Sequence, residues 1–252
     1  DLVEAVDVGG GADRGAVDDD VDAGERVARR GVGDGAGDLR PFNVGYVGIS
    51  WGGINGTTFA GVDPLINKAF LSVPAGGSIR GFEASETFGP RVRAGLAAIG
   101  IEPGDPLFEL YLTLGVTVID SADPINWIKK AAAEKPILLH EVIGDTVSPN
   151  FAPGAPLVGT EPMIAVGGLE AFDSSQMNPE GLRAAARFVP PATHGSLQDP
   201  RSSLAATVEM QGQMASFLAS EGTSIIVNNP ATLSPVMTPF EVEIAGPQED
   251  LG

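Results

Sequence analysis

The chain has 252 residues, 43% of them apolar, which is enough for one globular α/β domain or two small ones with a sizeable core. Its formal net charge of −18 would be repelled by nucleic acid and by an anionic membrane surface, which argues against both as partners. With no cysteine, it has no disulfide, no thiolate metal site and no cysteine nucleophile.

Residues 1–40 use only seven residue types, Asp, Glu, Arg, Gly, Ala, Val and Leu. Side chains this small and charged do not build a core of their own, so a weakly structured acidic Gly/Asp-rich leader is expected. An out-of-frame start would give the same vocabulary. AVDDDVDAGERVARRGV can form one poor helix, with Val17, Val21 and Ala28 on a common face, and GDGAGDL reads as a turn. The chain opens at Asp1 without methionine, which suggests processing or truncation. No apolar run approaches the ~18 residues of a membrane span, and no signal peptide is present.

From residue 41 to 252 the pattern becomes regular. VGYVGI is a short apolar strand, and GINGTTFAG opens a helix after Ser50. KAFLSVPAGG is a second buried strand ending in glycines. A long helical stretch runs from about Ser78 to Glu134 and is expected to form a lid-like insertion. Within it, PLFELYLTLGV would either line an acyl pocket or pack as a plain helix. KPILLHEVIGD and GLRAAARFVP read as further strands, SSLAATVEMQGQMASFLAS as an amphipathic helix and TSIIVNN as a last short strand, with an extended tail from Pro230. Apolar strands alternating with helices predict a mostly parallel sheet with helices on both faces.

GISWG, residues 48–52, fits the G-x-S-x-G nucleophile elbow, in which a serine sits on a strained strand-to-helix turn. A glycine-rich turn of an ordinary parallel sheet shares that pattern. The apolar strand before Ser50 and the small-residue helix start after it favour the elbow. A serine hydroxyl needs a base, and only two histidines exist. His140 lies mid-strand in PILLHEVI, as a core histidine would. His194 lies in the loop PPATHGSL, free to project over the sheet edge. The base needs a carboxylate, and Asp145 follows the third strand at its carboxyl end. Asp199 is a rival, as are Asp120 and Asp123, which are better placed to cap the helix holding Asn126 and Trp127. The order Ser50, Asp145, His194 is that of α/β-hydrolases.

VGYVGISWGGINGT, FLSVPAGG, DSADPINW, EVIGDTVSPN and THGSL together resemble the bacterial extracellular lipase and esterase family of the α/β-hydrolase superfamily, over residues 33–223. The resemblance implies Ser50 as nucleophile, Asp145 as acid and His194 as base. It further implies ester or lipid substrates, an acyl-enzyme, no metal or cofactor, and an extracellular or cell-surface location. Another acyl bond, such as an amide or a polyester, or a non-catalytic hydrolase-like fragment are the alternatives. Two departures stand out. Trp51 occupies a position where a smaller residue is commoner, and nothing before Asn43 resembles the family. The resemblance implies the backbone N–H of Trp51 as one oxyanion donor, while the usual upstream loop for the second is not recognisable. A sheet lacking part of its early strands is therefore expected, with open apolar faces that favour self-association.

Overall fold

The computed structural model describes residues 43–235. The leader at 1–40 lies outside the described residues, as does the tail beyond residue 235.

β1 is Val44–Ile49, β2 Ile66–Ser72, β3 Ile137–Val142, β4 Glu170–Ala171 and β6 Arg183–Phe188. They form one parallel sheet in the order β1-β2-β3-β6-β4. β3 is buried at every position because helices cover both of its faces, so it carries no polar alternation. On one face Phe70, Leu138, Ala186 and Phe188 pack against Met210 and Phe217 of α7, Leu204–Ala219. On the other, Leu71, Ile137, Leu139 and Ala185 meet three helices. These are α1, Trp51–Val62; α5, Ile128–Glu134; and α6, Thr160–Gly167. β1 forms one edge of the described sheet, with Val44 and Val47 exposed.

The long helical stretch after β2 is broken rather than continuous. α2 is Ser78–Ala84, α3 Gly89–Ala97 and α4 Pro106–Ile119, followed by two 3₁₀ turns before α5. Pro90 and Pro106 stand in the first turns of α3 and α4, where a missing N–H does no harm. Gly100 and Gly104, with φ of 80° and 95°, turn the chain between those helices. α4 packs Phe108 and Leu112 against Leu96 and Ile79, while Leu107, Leu110, Tyr111, Leu114 and Val118 stay exposed.

The segment after residue 150 holds α6, β4 and β5, Gln176–Met177, none of which the sequence pattern singles out. TSIIVNN contributes only β7, Ser224–Ile225, which pairs antiparallel with β5 outside the main sheet. The tail is not simply extended, since Pro230–Thr232 is a 3₁₀ turn and Leu233 bridges to Phe188.

Candidate active site

Because the strands are parallel and in register, β1, β3 and β6 all end at the same sheet edge. Ser50 follows β1, Asp145 follows β3 after Ile143 and Gly144, and His194 lies in the loop between β6 and α7. Ser50 has φ 53° and ψ −119°, a backbone conformation that a residue with a Cβ rarely adopts. Its N–H is held by Ser72 O at 2.8 Å, and its carbonyl accepts the first bond of α1 from Ile54 N at 2.9 Å. The glycines around it differ in purpose. A Cβ at Gly48 would meet Gly52 O at 2.3 Å, and one at Gly56 would meet the Tyr46 ring at 2.0 Å. Gly52 itself has open space, so the second glycine of the motif is not demanded by crowding. Trp51, Gly52 and Gly53 open α1, where backbone N–H groups have no intrahelical acceptor.

His194 Nδ1 lies 2.7 Å from Asp145 Oδ2. The Asp145 side chain is 1% exposed and that of His194 18%, so the carboxylate is shielded while the ring stays accessible. Asp145 Oδ1 accepts the N–H groups of Val147 (2.8 Å) and Ser148 (3.2 Å), which fixes the carboxylate plane. Asn150 clasps this turn. Its Oδ1 accepts Gly144 N at 2.7 Å, and its Nδ2 donates to Val142 O at 2.8 Å and Glu141 Oε1 at 2.7 Å.

Beneath the turn lies a buried charge cluster. Arg187 donates through Nε and Nη2 to Glu161 Oε1 and Oε2, both at 2.7 Å, and Glu141 Oε2 is 3.2 Å from the same Nε. Burial pushes the Glu141 carboxyl well above its usual range, neighbouring Glu161 adds to the push, and Arg187 opposes it. Glu161 holds the bidentate position on the guanidinium, and Glu141 is the carboxyl whose charged form is disfavoured. The signal in the sequence was the charge itself. Glu141 in ILLHEV and Arg187 in RAAARF interrupt apolar strands and are register partners.

Ser50 opens into a pocket of about 260 Å³ whose wall includes Trp51, Ile54, Phe82, Phe88, Val147 and Pro149. No residue of α4 is among those that line it. The other carboxylates and the second histidine are placed elsewhere. Asp123 accepts Ile125 N at the 3₁₀ turn Pro124–Asn126, and also Gly77 N and Ser78 N at the start of α2. Asp120 takes the Asn126 side-chain amide. Asp199 is paired with Arg201, whose hydrogen bonds pull its carboxyl down to about 2. His140 is buried between the rings of Phe70 and Phe188, with Nε2 3.1 Å from Gln213 Oε1. Burial lowers its pKa to about 3, so it is neutral at physiological pH. Among the described residues no cluster of three or more His, Cys, Asp or Glu is placed to hold a metal ion, and no helix is long and apolar enough to cross a membrane.

No protein-family model and no curated protein sequence matches the chain. Three solved structures illustrate what it is similar to. The Pyrococcus horikoshii acylaminoacyl peptidase shares 14% identity at a TM-score of 0.47, covering 73% of this chain and 24% of its own. A Mycobacterium tuberculosis puromycin-hydrolyzing peptidase shares 15% at 0.49, covering 81% and 26%. A Pyrococcus furiosus esterase shares 14% at 0.31, covering 66% and 52%. The chain thus spans only about a quarter of the length of the two peptidases. Its chemistry has to be read from its own residues. The sheet is a parallel α/β sheet covered by helices on both faces, and Ser50 on its strained strand-to-helix turn is followed in the chain by Asp145 and His194, the chain order of an α/β-hydrolase triad.

Proposed function

We propose that the chain is a serine hydrolase of carboxylic esters, with Ser50 as nucleophile, His194 as general base and acid, and Asp145 as the carboxylate that orients the imidazole. The observation that carries this reading is the 2.7 Å contact from His194 Nδ1 to Asp145 Oδ2, on the sheet edge where the strained Ser50 turn lies. With Nδ1–H donated to Asp145, Nε2 is left as the basic nitrogen.

In the proposed cycle His194 Nε2 removes the Ser50 hydroxyl proton as Oγ attacks the ester carbonyl carbon. The negative charge that develops on the carbonyl oxygen is met by the N–H of Trp51, which heads α1 and has no intrahelical acceptor. The imidazolium, stabilised by Asp145, returns the proton to the leaving alkoxide as the C–O bond breaks. Water then attacks the acyl-enzyme with His194 again as base, releasing the acid and restoring Ser50 Oγ–H. None of these steps calls on a metal or cofactor. A location outside the cell, and self-association through the exposed Val44 and Val47 edge, belong to the same proposal and rest on the family resemblance and on exposed apolar surface.

A fluorophosphonate tests the reading, because only an activated serine reacts with it. Intact-mass and peptide analysis should locate one adduct on Ser50, absent from Ser50→Ala and from His194→Ala. An unlabelled wild-type protein, or an adduct on another serine, would refute it.

A further inference from the structure

We infer that the pocket beside Ser50 takes a short, uncharged acyl group, and that Phe82 and Phe88 set the chain length at which it stops; the inference rests on the ester-hydrolase reading of that pocket. Three observations carry it. The first is size. Pockets for drug-sized ligands span about 300–1,000 Å³, and this one encloses about 260 Å³. The second is chemistry, since the residues lining it include no Asp, Glu, Lys, Arg or His. An ammonium or carboxylate on the acyl chain would lose part of its hydration there and meet no opposite charge.

The third observation is that the aromatic wall is built in place. Trp51 packs on Phe82 with ring centroids 5.6 Å apart, and Phe82 on Phe88 at 5.5 Å in a T-shaped contact. Phe82 rides on α2, whose start is pinned by Asp123 through Gly77 N at 2.9 Å and Ser78 N at 2.7 Å. Arg93 ties α2 to α3 through Glu83 Oε1 at 2.7 Å. Phe88 N donates to Ser85 Oγ at 3.2 Å, and Ser85 Oγ and Thr87 N donate to Thr146 O, in the turn that carries Asp145. Opening the wall to admit a long chain means breaking bonds on both sides of it. Acyl chains that fit beneath the rings gain apolar burial, and longer ones must leave the pocket or displace the wall.

The experiment is a kcat/KM series for the full chain on p-nitrophenyl acetate, butyrate, pentanoate, hexanoate, octanoate and palmitate. The γ-aminobutyrate ester serves as a charged counterpart of the pentanoate. The optimum should fall between butyrate and hexanoate, with palmitate and the γ-aminobutyrate ester each about tenfold or more below it. Phe82→Ala should move the optimum to longer chains, and Phe88→Leu should do so to a smaller extent, which keeps the test open if one variant folds poorly. Palmitate at least as good as butyrate, γ-aminobutyrate equal to pentanoate, or an optimum unmoved in both variants would overturn the inference while leaving the esterase reading standing. No Ser50-dependent turnover of any ester would overturn both.

Discussion

Asp145 divides its two oxygens between two tasks: Oδ1 is occupied by the backbone N–H groups of Val147 and Ser148, and Oδ2 faces His194 Nδ1 at 2.7 Å. The backbone bonds fix which oxygen is free, and the free one fixes the imidazole tautomer. In Asp145→Asn the amide oxygen satisfies the two N–H donors, which turns the amide nitrogen toward Nδ1 and forces the proton onto Nε2. The rate constant kcat should then fall by about 10⁴, with the fold intact. Asp120→Asn, whose contacts stay with Asn126, should leave kcat within about twofold by the same ester assay.

The two histidines should separate function from stability. His194→Ala is expected to abolish ester hydrolysis with little change in melting temperature. His140→Ala removes a ring packed between Phe70 and Phe188 and should cost about 2–4 kcal/mol in urea unfolding. Residual activity in folded His140→Ala combined with none in His194→Ala is the expected pattern.

His140 also gives a pH dependence with a defined sign. Its folded pKa is lowered from 6.5 to about 3, so between those values the unfolded chain binds a proton that the folded one does not. Stability is therefore highest above pH 6.5 and is lost as pH falls toward 3, at up to about 1.4 kcal/mol per pH unit from this group. Glu141, whose carboxyl is raised, acts in the opposite direction: its contribution is present below its ordinary value and is lost as pH rises through the folded one. The difference between wild-type and His140→Ala unfolding curves isolates the histidine. That difference should shrink as the pH is lowered from 6.5 to 4. A difference that stays constant over this range contradicts the assignment of a neutral buried imidazole.

Asn150 is expected to act on catalysis through the turn it clasps. Asn150→Ala removes the bonds to Gly144 N–H and to Glu141 Oε1, which should cost about 1–3 kcal/mol. Loosening the Asp145 turn should also lower kcat with KM nearly unchanged, because no Asn150 atom lines the pocket. A change confined to KM would mean that the clasp does not position Asp145.

Arg187→Met should be among the most destabilising substitutions in the chain. It removes the bidentate partner of the buried Glu161 carboxylate, a loss of about 3–5 kcal/mol. Arg187→Lys should recover only part of this, since an ammonium cannot span both Glu161 oxygens as the guanidinium does. Chemical denaturation of the two variants beside the wild type measures both effects.

Much of this was legible in the chain, because strands buried on both faces read as continuous apolar runs and helices as periodic ones. VGYVGI, KAFLSVPAGG, ILLHEV and RAAARF announce four of the five parallel strands, and the loop around His194 is set off by its prolines and glycine. The two-residue strands Glu170–Ala171 and Gln176–Met177 carry no period to detect, and they exist only because tertiary neighbours present edges to pair with. The same holds for the pocket. Phe82 and Phe88 lie in a stretch whose sequence speaks only of helix, and nothing local says that they meet Trp51. Asn150 looks like an ordinary turn residue until Glu141 and Gly144 are brought to it by the fold.

The most direct measurement is the rate of p-nitrophenyl butyrate hydrolysis by Ser50→Ala beside the wild type, with circular dichroism and melting temperature recorded on the same samples. Ser50 makes its fold contacts through backbone N and O, so the substitution should leave both structural readouts nearly unchanged. Alanine shares the unfavourable φ of 53°, so the elbow's strain is common to both proteins. The expected result is loss of the Ser50-dependent rate by about 10³-fold or more. A folded Ser50→Ala protein that keeps more than about a tenth of the wild-type rate would show that another group carries the reaction.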